Sequence, residues 1–141
     1  RVGAARDAAG EDVDLVVEAH RKLGPGEAVA LARKLEPFDL LFIEDPIPPD
    51  SIDSMAEVAG QTTIPIATGE RLPTIYEFKE VLSKRAAQDL KLDAGLQGGL
   101  TQCKKIAGMA EAHYAQIAPH LYCGPLEAAA NIHLLFIIDS L

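Results

Sequence analysis

Three glutamates each close a short apolar run: Glu18 after DLVV, Glu44 after LLFI and Glu70 after IPIATG. They stand 26 residues apart in turn. On parallel strands of equal spacing, they would meet side by side at one mouth. Three like charges a few ångströms apart repel strongly unless a cation neutralises them. All-oxygen ligands select a hard cation, and Mg²⁺ commonly takes a few carboxylates together with water and substrate. Any one of these acids reads equally well as a solvated strand-end residue. Only their register on consecutive units argues for a joint role.

Two histidines and an aspartate could act beside such a cation. His20 lies two residues after Glu18, which on an extended segment puts both on one face. Asp93 closes KLD, and His120 closes QIAPH. A carboxylate bonded to the far side of the His120 ring would fix its tautomer and raise its basicity. A histidine so held near Mg²⁺ is a candidate general base. A structural histidine near a strand end is the plainer alternative, and His113 and His133, inside helical stretches, are read that way.

The elements that would position these residues alternate regularly. Strands are expected at 13–19, 40–43, 64–67, 87–92 and 115–118. Helices are expected at 2–9, 25–35, 51–59, 74–82, 99–113 and 124–136. Strand–helix alternation implies parallel strands with helical crossovers. An open doubly wound sheet and a (β/α)8 barrel both satisfy it. The strand ends at Glu18, Glu44, Glu70, Asp93 and His120 recur every 23 to 27 residues, each with a polar residue at its C-terminal end. That is the layout of a TIM-type barrel, whose active sites lie on the βα face. A doubly wound sheet would more often carry a Gly-rich phosphate loop after its first strand. The only candidate, GLQGGL at 95–100, lacks that spacing.

Bulk composition bounds the partners. The 141 residues are 48% hydrophobic and 24% charged, enough to bury a core, and the net charge is −8. Nucleic acid demands a basic footprint, so the net charge argues against it as a partner. No apolar stretch approaches the roughly 20 residues of a membrane helix. The charged, alanine-rich opening does not read as a secretory signal. Cys103 and Cys123 show no zinc-like spacing and read as ordinary thiols in a reducing compartment, so a cytoplasmic location is expected. The chain starts inside a helical pattern and ends on IIDSL within an apolar run, so residues 1–141 read as one partial domain of a longer protein.

The runs FIEDP, IPIATGER and APHLYCGPLE resemble the barrel domain of the enolase superfamily, mandelate racemase subgroup. IATGERLPTIYEFKEVL and CKKIAGMAEA are similar to the acid-sugar dehydratases of the galactonate dehydratase kind within it. The likeness runs from about Val13 to the end, with several motifs in order. It implies a partial barrel of about strands three to seven, with the first strands and an N-terminal capping domain outside the chain. It implies Mg²⁺ held by Glu18, Glu44 and Glu70, an Asp93–His120 pair whose histidine abstracts the proton next to a carboxylate, and His20 as the acid that helps hydroxide leave. A sugar acid is then the expected substrate and a homo-oligomer the expected state of the full-length parent.

Two positions depart from the pattern. Glu18 stands where these dehydratases commonly carry aspartate, and Lys91-Leu92-Asp93 replaces the frequent Gln-Pro-Asp; Lys91 is either benign, the preferred reading, or alters the rim. A late carboxylate of the family would fall beyond Leu141. Of the remaining residues, Arg71 reads as a strand-end ion pair or a substrate contact, and Asp45 as structural. Gly98 and Gly99 read as a tight turn, and Tyr122 and Cys123 as pocket lining or rim packing. A racemase or epimerase of the same superfamily stays open as an alternative. So does a catalytically idle fragment with a structural or binding role, whose unpaired strand edges would invite association.

Overall fold

A computed structural model describes residues 1–138. Residues 139–141, the end of the IIDSL run, lie outside the described residues. The elements in chain order are α1 (Val2–Ala9), β1 (Leu15–Glu18), α2 (Pro25–Leu35), a 3-10 turn (Glu36–Phe38), β2 (Leu40–Glu44), α3 (Ile52–Ala59), β3 (Ile66–Thr68), α4 (Ile75–Ser83), β4 (Asp89–Leu90), α5 (Leu100–Ala112), β5 (Gln116–Ile117) and α6 (Pro125–Ile137).

The helix starts follow from local chemistry. Ser51 caps α3 by accepting the Ser54 amide at 3.2 Å. Thr74 and Glu77 form a reciprocal capping box at the start of α4, the pattern that satisfies two orphan donors at once. Pro25 occupies the first turn of α2, where its missing N–H costs nothing.

All five strands are parallel, in the order β1-β2-β3-β4-β5. This order decides between the two architectures. A doubly wound sheet reverses its strand order at a switch point; here each new strand adds on the same side, and α2 through α5 each pack on the next helix in sequence. The chain is an arc of a (β/α) barrel. Its core lies between sheet and helices, with Ile43, Ile66, Phe78, Leu90, Leu92 and Ile106 at 1% exposure or less. Strands covered in this way read as continuous apolar runs, which is why LLFI and IPIA stand out.

The paired segments are shorter than the sequence pattern predicts. β3 begins only at Ile66 because Pro65 has no amide to give to the ladder. β4 and β5 shrink to two residues each, and at the start of β4 the Gln88 side-chain oxygen takes the Ile66 amide at 2.9 Å.

Asp89 at the start of β4 is half-buried, and that burial pushes its carboxyl above the ordinary value, opposed by the Lys91 charge. A raised folded-state pKa means that the folded chain binds this proton more tightly than the unfolded one. Stability from this group is therefore full below its unfolded pKa and lost as pH rises through the folded one. Asp89→Asn is expected to be more stable than the unaltered chain at neutral pH, with the gap closing as pH falls below about 4, the ordinary aspartate range. Urea midpoints of the two proteins at pH 7 and at acid pH would measure it; a gap constant with pH would refute it.

Candidate active site

The C-terminal ends of the strands open into a cleft of about 570 Å³. His20, Arg21, Glu70, Arg71, Asp93 and His120 are among its lining residues. Four of the six were singled out from the sequence as candidate ligands, bases or acids.

Glu18 and Glu44 are direct partners in the β1–β2 register. Burial, and next the neighbouring Glu44 charge, push the Glu18 carboxyl above its ordinary value. Glu70 reaches the cleft two residues past β3, after Gly69 at φ 140°. A Cβ on Gly69 would stand 2.9 Å from the Phe78 ring and 3.0 Å from the Lys91 carbonyl oxygen. Only glycine lets the chain pass there and turn Glu70 inward.

His120 is held from both sides. Its Nδ1 lies 2.9 Å from Asp93 Oδ2 and its Nε2 lies 3.1 Å from Glu70 Oε2. Its amide donates to the Leu92 carbonyl at 2.6 Å. Tyr122 stacks on the ring with centroids 6.3 Å apart. Asp93 is buried, which alone would raise its pKa. Hydrogen bonds from His120 and from the Leu96 amide, together with the His120 charge, help to offset that burial, and the carboxyl is held below its ordinary value. The Gln97 side-chain oxygen accepts the Asp93 amide, and its NH₂ donates to the Leu72 carbonyl at 2.9 Å. Gly98 and Gly99, at φ 85° and 87°, form the expected tight turn before α5.

Three expectations are corrected. Glu18-Ala19-His20 is not extended: His20 and Arg21 have φ of 52° and 62°, and a turn, not a strand, keeps His20 Nδ1 3.8 Å from Glu18 Oε1. Lys91 is not remote from the site: its Nζ sits 3.5 Å from Glu44 Oε2 and 5.6 Å over the Phe42 ring, as the rim alternative expects. Arg21, which the sequence reading passed over, makes the ion pair considered for Arg71. It bonds Glu70 and lies 3.4 Å from Asp45 Oδ2. Asp45, buried and accepting the Thr68 hydroxyl at 2.6 Å, anchors that guanidinium from behind. Arg71 lines the cleft and is exposed.

The donor chemistry fits a hard divalent cation: Glu18 and Glu44 adjoin in register, and Glu70 turns into the same mouth. The side chains are now drawn to the chain's own cations, Glu44 to Lys91 and Glu70 to Arg21. Among the described residues, no three acidic, histidine or cysteine side chains stand together at ligand spacing. No described helix is long and apolar enough to cross a membrane.

The enolase C-terminal domain-like family model matches residues 1–141. The chain belongs to that family. It is 42% identical over 137 residues to a D-galactonate dehydratase of Ralstonia nicotianae, covering 97% of this chain and 36% of that protein. A second D-galactonate dehydratase, of Xanthomonas euvesicatoria, is 39% identical over the same share of each chain. A mandelate racemase/muconate lactonizing enzyme from a Sulfitobacter species superposes with a TM-score of 0.97 at 47% identity, covering 99% of this chain and 35% of its own. The chain thus spans about a third of the length of the relatives it matches.

Proposed function

We propose that the intact protein is an acid-sugar dehydratase that removes the proton alpha to a carboxylate and eliminates the neighbouring hydroxyl as water. The observation that carries this reading is the His120 ring, bonded to Asp93 at Nδ1 and presenting Nε2 to the cleft. With Nδ1–H donated to Asp93, Nε2 is the nitrogen left to take the α-proton, and the Glu70 carboxylate 3.1 Å away must turn from it toward the ligand set for it to do so. The carboxylate behind the ring steadies the imidazolium that results. His20, on the same cleft and exposed, supplies a proton to the departing hydroxyl, and the enol left behind becomes a 2-keto-3-deoxy acid. The likeness to D-galactonate dehydratases supports this choice among the reactions an Asp–His pair can run.

Glu18, Glu44 and Glu70 would hold Mg²⁺. That ion supplies concentrated positive charge for the dianion formed when a carbon acid next to a carboxylate loses its proton. The Glu70 side chain, 3.1 Å from Nε2, puts the ligand set beside the base, so that a substrate carboxylate held by that set would bring its α-carbon within reach of Nε2.

The test is a sugar-acid library incubated with the intact protein and Mg²⁺, assayed for 2-keto-3-deoxy products. At least one member should yield product. No product across the library, with Mg²⁺ binding confirmed, overturns the reading. Exchange of the α-proton with solvent deuterium and no keto product would assign a racemase instead.

A further inference from the structure

We propose that Glu127 and Asn131, one turn apart on α6, are positioning residues that lock the Asp93 loop to the His120 loop. This inference rests on the reading of Asp93 and His120 as the working pair.

Glu127 is buried, though carboxylates are seldom fully buried unless paired. Its two oxygens go to different loops. Oε2 accepts the Cys123 amide at 3.0 Å, on the segment just past His120. Oε1 accepts the Gly95 amide at 3.2 Å, on the segment just past Asp93. Asn131 donates from Nδ2 to the His120 carbonyl at 3.0 Å. One helix face therefore grips both loops that bear the pair.

A helix cap alone does not account for this. Glu127 falls in the first turn of α6, where an acid often reaches back to a preceding amide, as its bond to Cys123 does. A cap needs no second bond to a residue 32 positions away on another unit. That second contact is also tight. A Cβ on Gly95 would stand 3.2 Å from Asp93 Oδ1 and 3.2 Å from Glu127 Oε1, so the backbone at Gly95 passes close between the two acids. Asn131 Oδ1 is buried and without a hydrogen-bond partner among the described residues. Leaving a buried acceptor unsatisfied is unfavourable, so the amide is held there for what its NH₂ does, namely fix the His120 carbonyl.

The test uses the intact protein with Glu127→Ala, Glu127→Gln and Asn131→Ala, read by steady-state kinetics and by amide hydrogen exchange. In Glu127→Ala, kcat should fall on the order of 10²-fold with KM within about twofold, the scale of a misplacement of roughly 1 Å at a catalytic group. Exchange protection at Gly95 and Cys123 should be lost together. Glu127→Gln is nearly isosteric and keeps one acceptor oxygen, so it should fold and give a kcat between those of Glu127→Ala and the unaltered protein. Asn131→Ala should lower kcat while leaving protection at Gly95 intact. Lowered stability with unchanged kcat in Glu127→Gln, or unchanged protection at Gly95 in Glu127→Ala, would reduce Glu127 to a cap and overturn the proposal. If the unaltered protein turns over no sugar acid, the dehydratase reading fails, and the exchange data alone then decide the lock.

Discussion

His120→Gln in the intact protein is expected to cut kcat on the order of 10²- to 10⁴-fold, the contribution of a positioned general base. Glutamine can still donate a hydrogen bond toward Asp93, but it has no nitrogen lone pair to receive a proton. The backbone bond from the His120 amide to Leu92 does not depend on the side chain, so the fold should survive. Two measurements separate loss of chemistry from loss of structure. Product formation and α-proton exchange into D₂O should fall together, while the thermal midpoint stays close to that of the unaltered protein. Exchange at the original rate would remove His120 from the proton transfer. Asp93→Asn should also lower kcat, because an amide beside Nδ1 no longer selects the tautomer with its proton on Nδ1. Asp93 is held below its ordinary pKa, so its part in stability is present above the unfolded value and lost only as pH falls through the lower folded one. Loss of activity on mild acidification therefore belongs to groups other than Asp93.

The sequence carried the barrel because its strand segments are apolar on both faces. LLFI and IPIA are apolar without alternation, and the acids that end them repeat at the spacing of one βα unit. It also carried the Asp93–His120 pair, since a parallel neighbour register brings two successive strand ends together whatever their loops do. Arg21 was invisible for a physical reason. Its place depends on two consecutive non-glycine residues in the left-handed region, and neither His20 nor Arg21 has a side chain that announces that conformation. An extended reading of the same residues sends Arg21 to the opposite face. A clue does exist: Arg21 follows a predicted strand end by three residues, close enough to reach the acid after the next strand.

Lys91 and Glu127 were hidden differently. Lys91 lies on the segment just past β4 with an exposed-looking type, and nothing local says that its stem crosses Phe42 to reach Glu44. Glu127 and Asn131 are an acid and an amide at i and i+4 on a helix otherwise built from PL-AAA-IHLL. Isolated polar residues spaced one turn apart on such a face are a signal in themselves, because burying them without partners is unfavourable. Their partners, however, come from loops 11 and 32 residues away, and only the folded chain shows which.

The same local charges set the second large effect. Glu44→Gln is expected to weaken Mg²⁺ binding to the intact protein by at least about 10²-fold, since even partners behind the ligands are commonly worth 10- to 100-fold. Lys91→Met is expected to do the opposite. The Lys91 ammonium stands 3.5 Å from the Glu44 carboxylate and opposes a divalent cation in the same mouth; removing it leaves the Glu18 and Glu44 charges with less to balance them, so the cation is drawn in more tightly. Calorimetric titration of Mg²⁺ into the chelator-treated protein reads both signs without reference to turnover. Equal affinity in Glu44→Gln and the unaltered protein would take Glu44 out of the ligand set. Weaker binding in Lys91→Met would mean that Lys91 orders the carboxylate for the metal instead of competing with it. In the double variant, the Lys91→Met gain should shrink, because the charge that Lys91 screens is the one Glu44→Gln removes. Close charges in one network should be non-additive, and that non-additivity distinguishes a direct Lys91–Glu44 contest from a general change in the potential of the mouth.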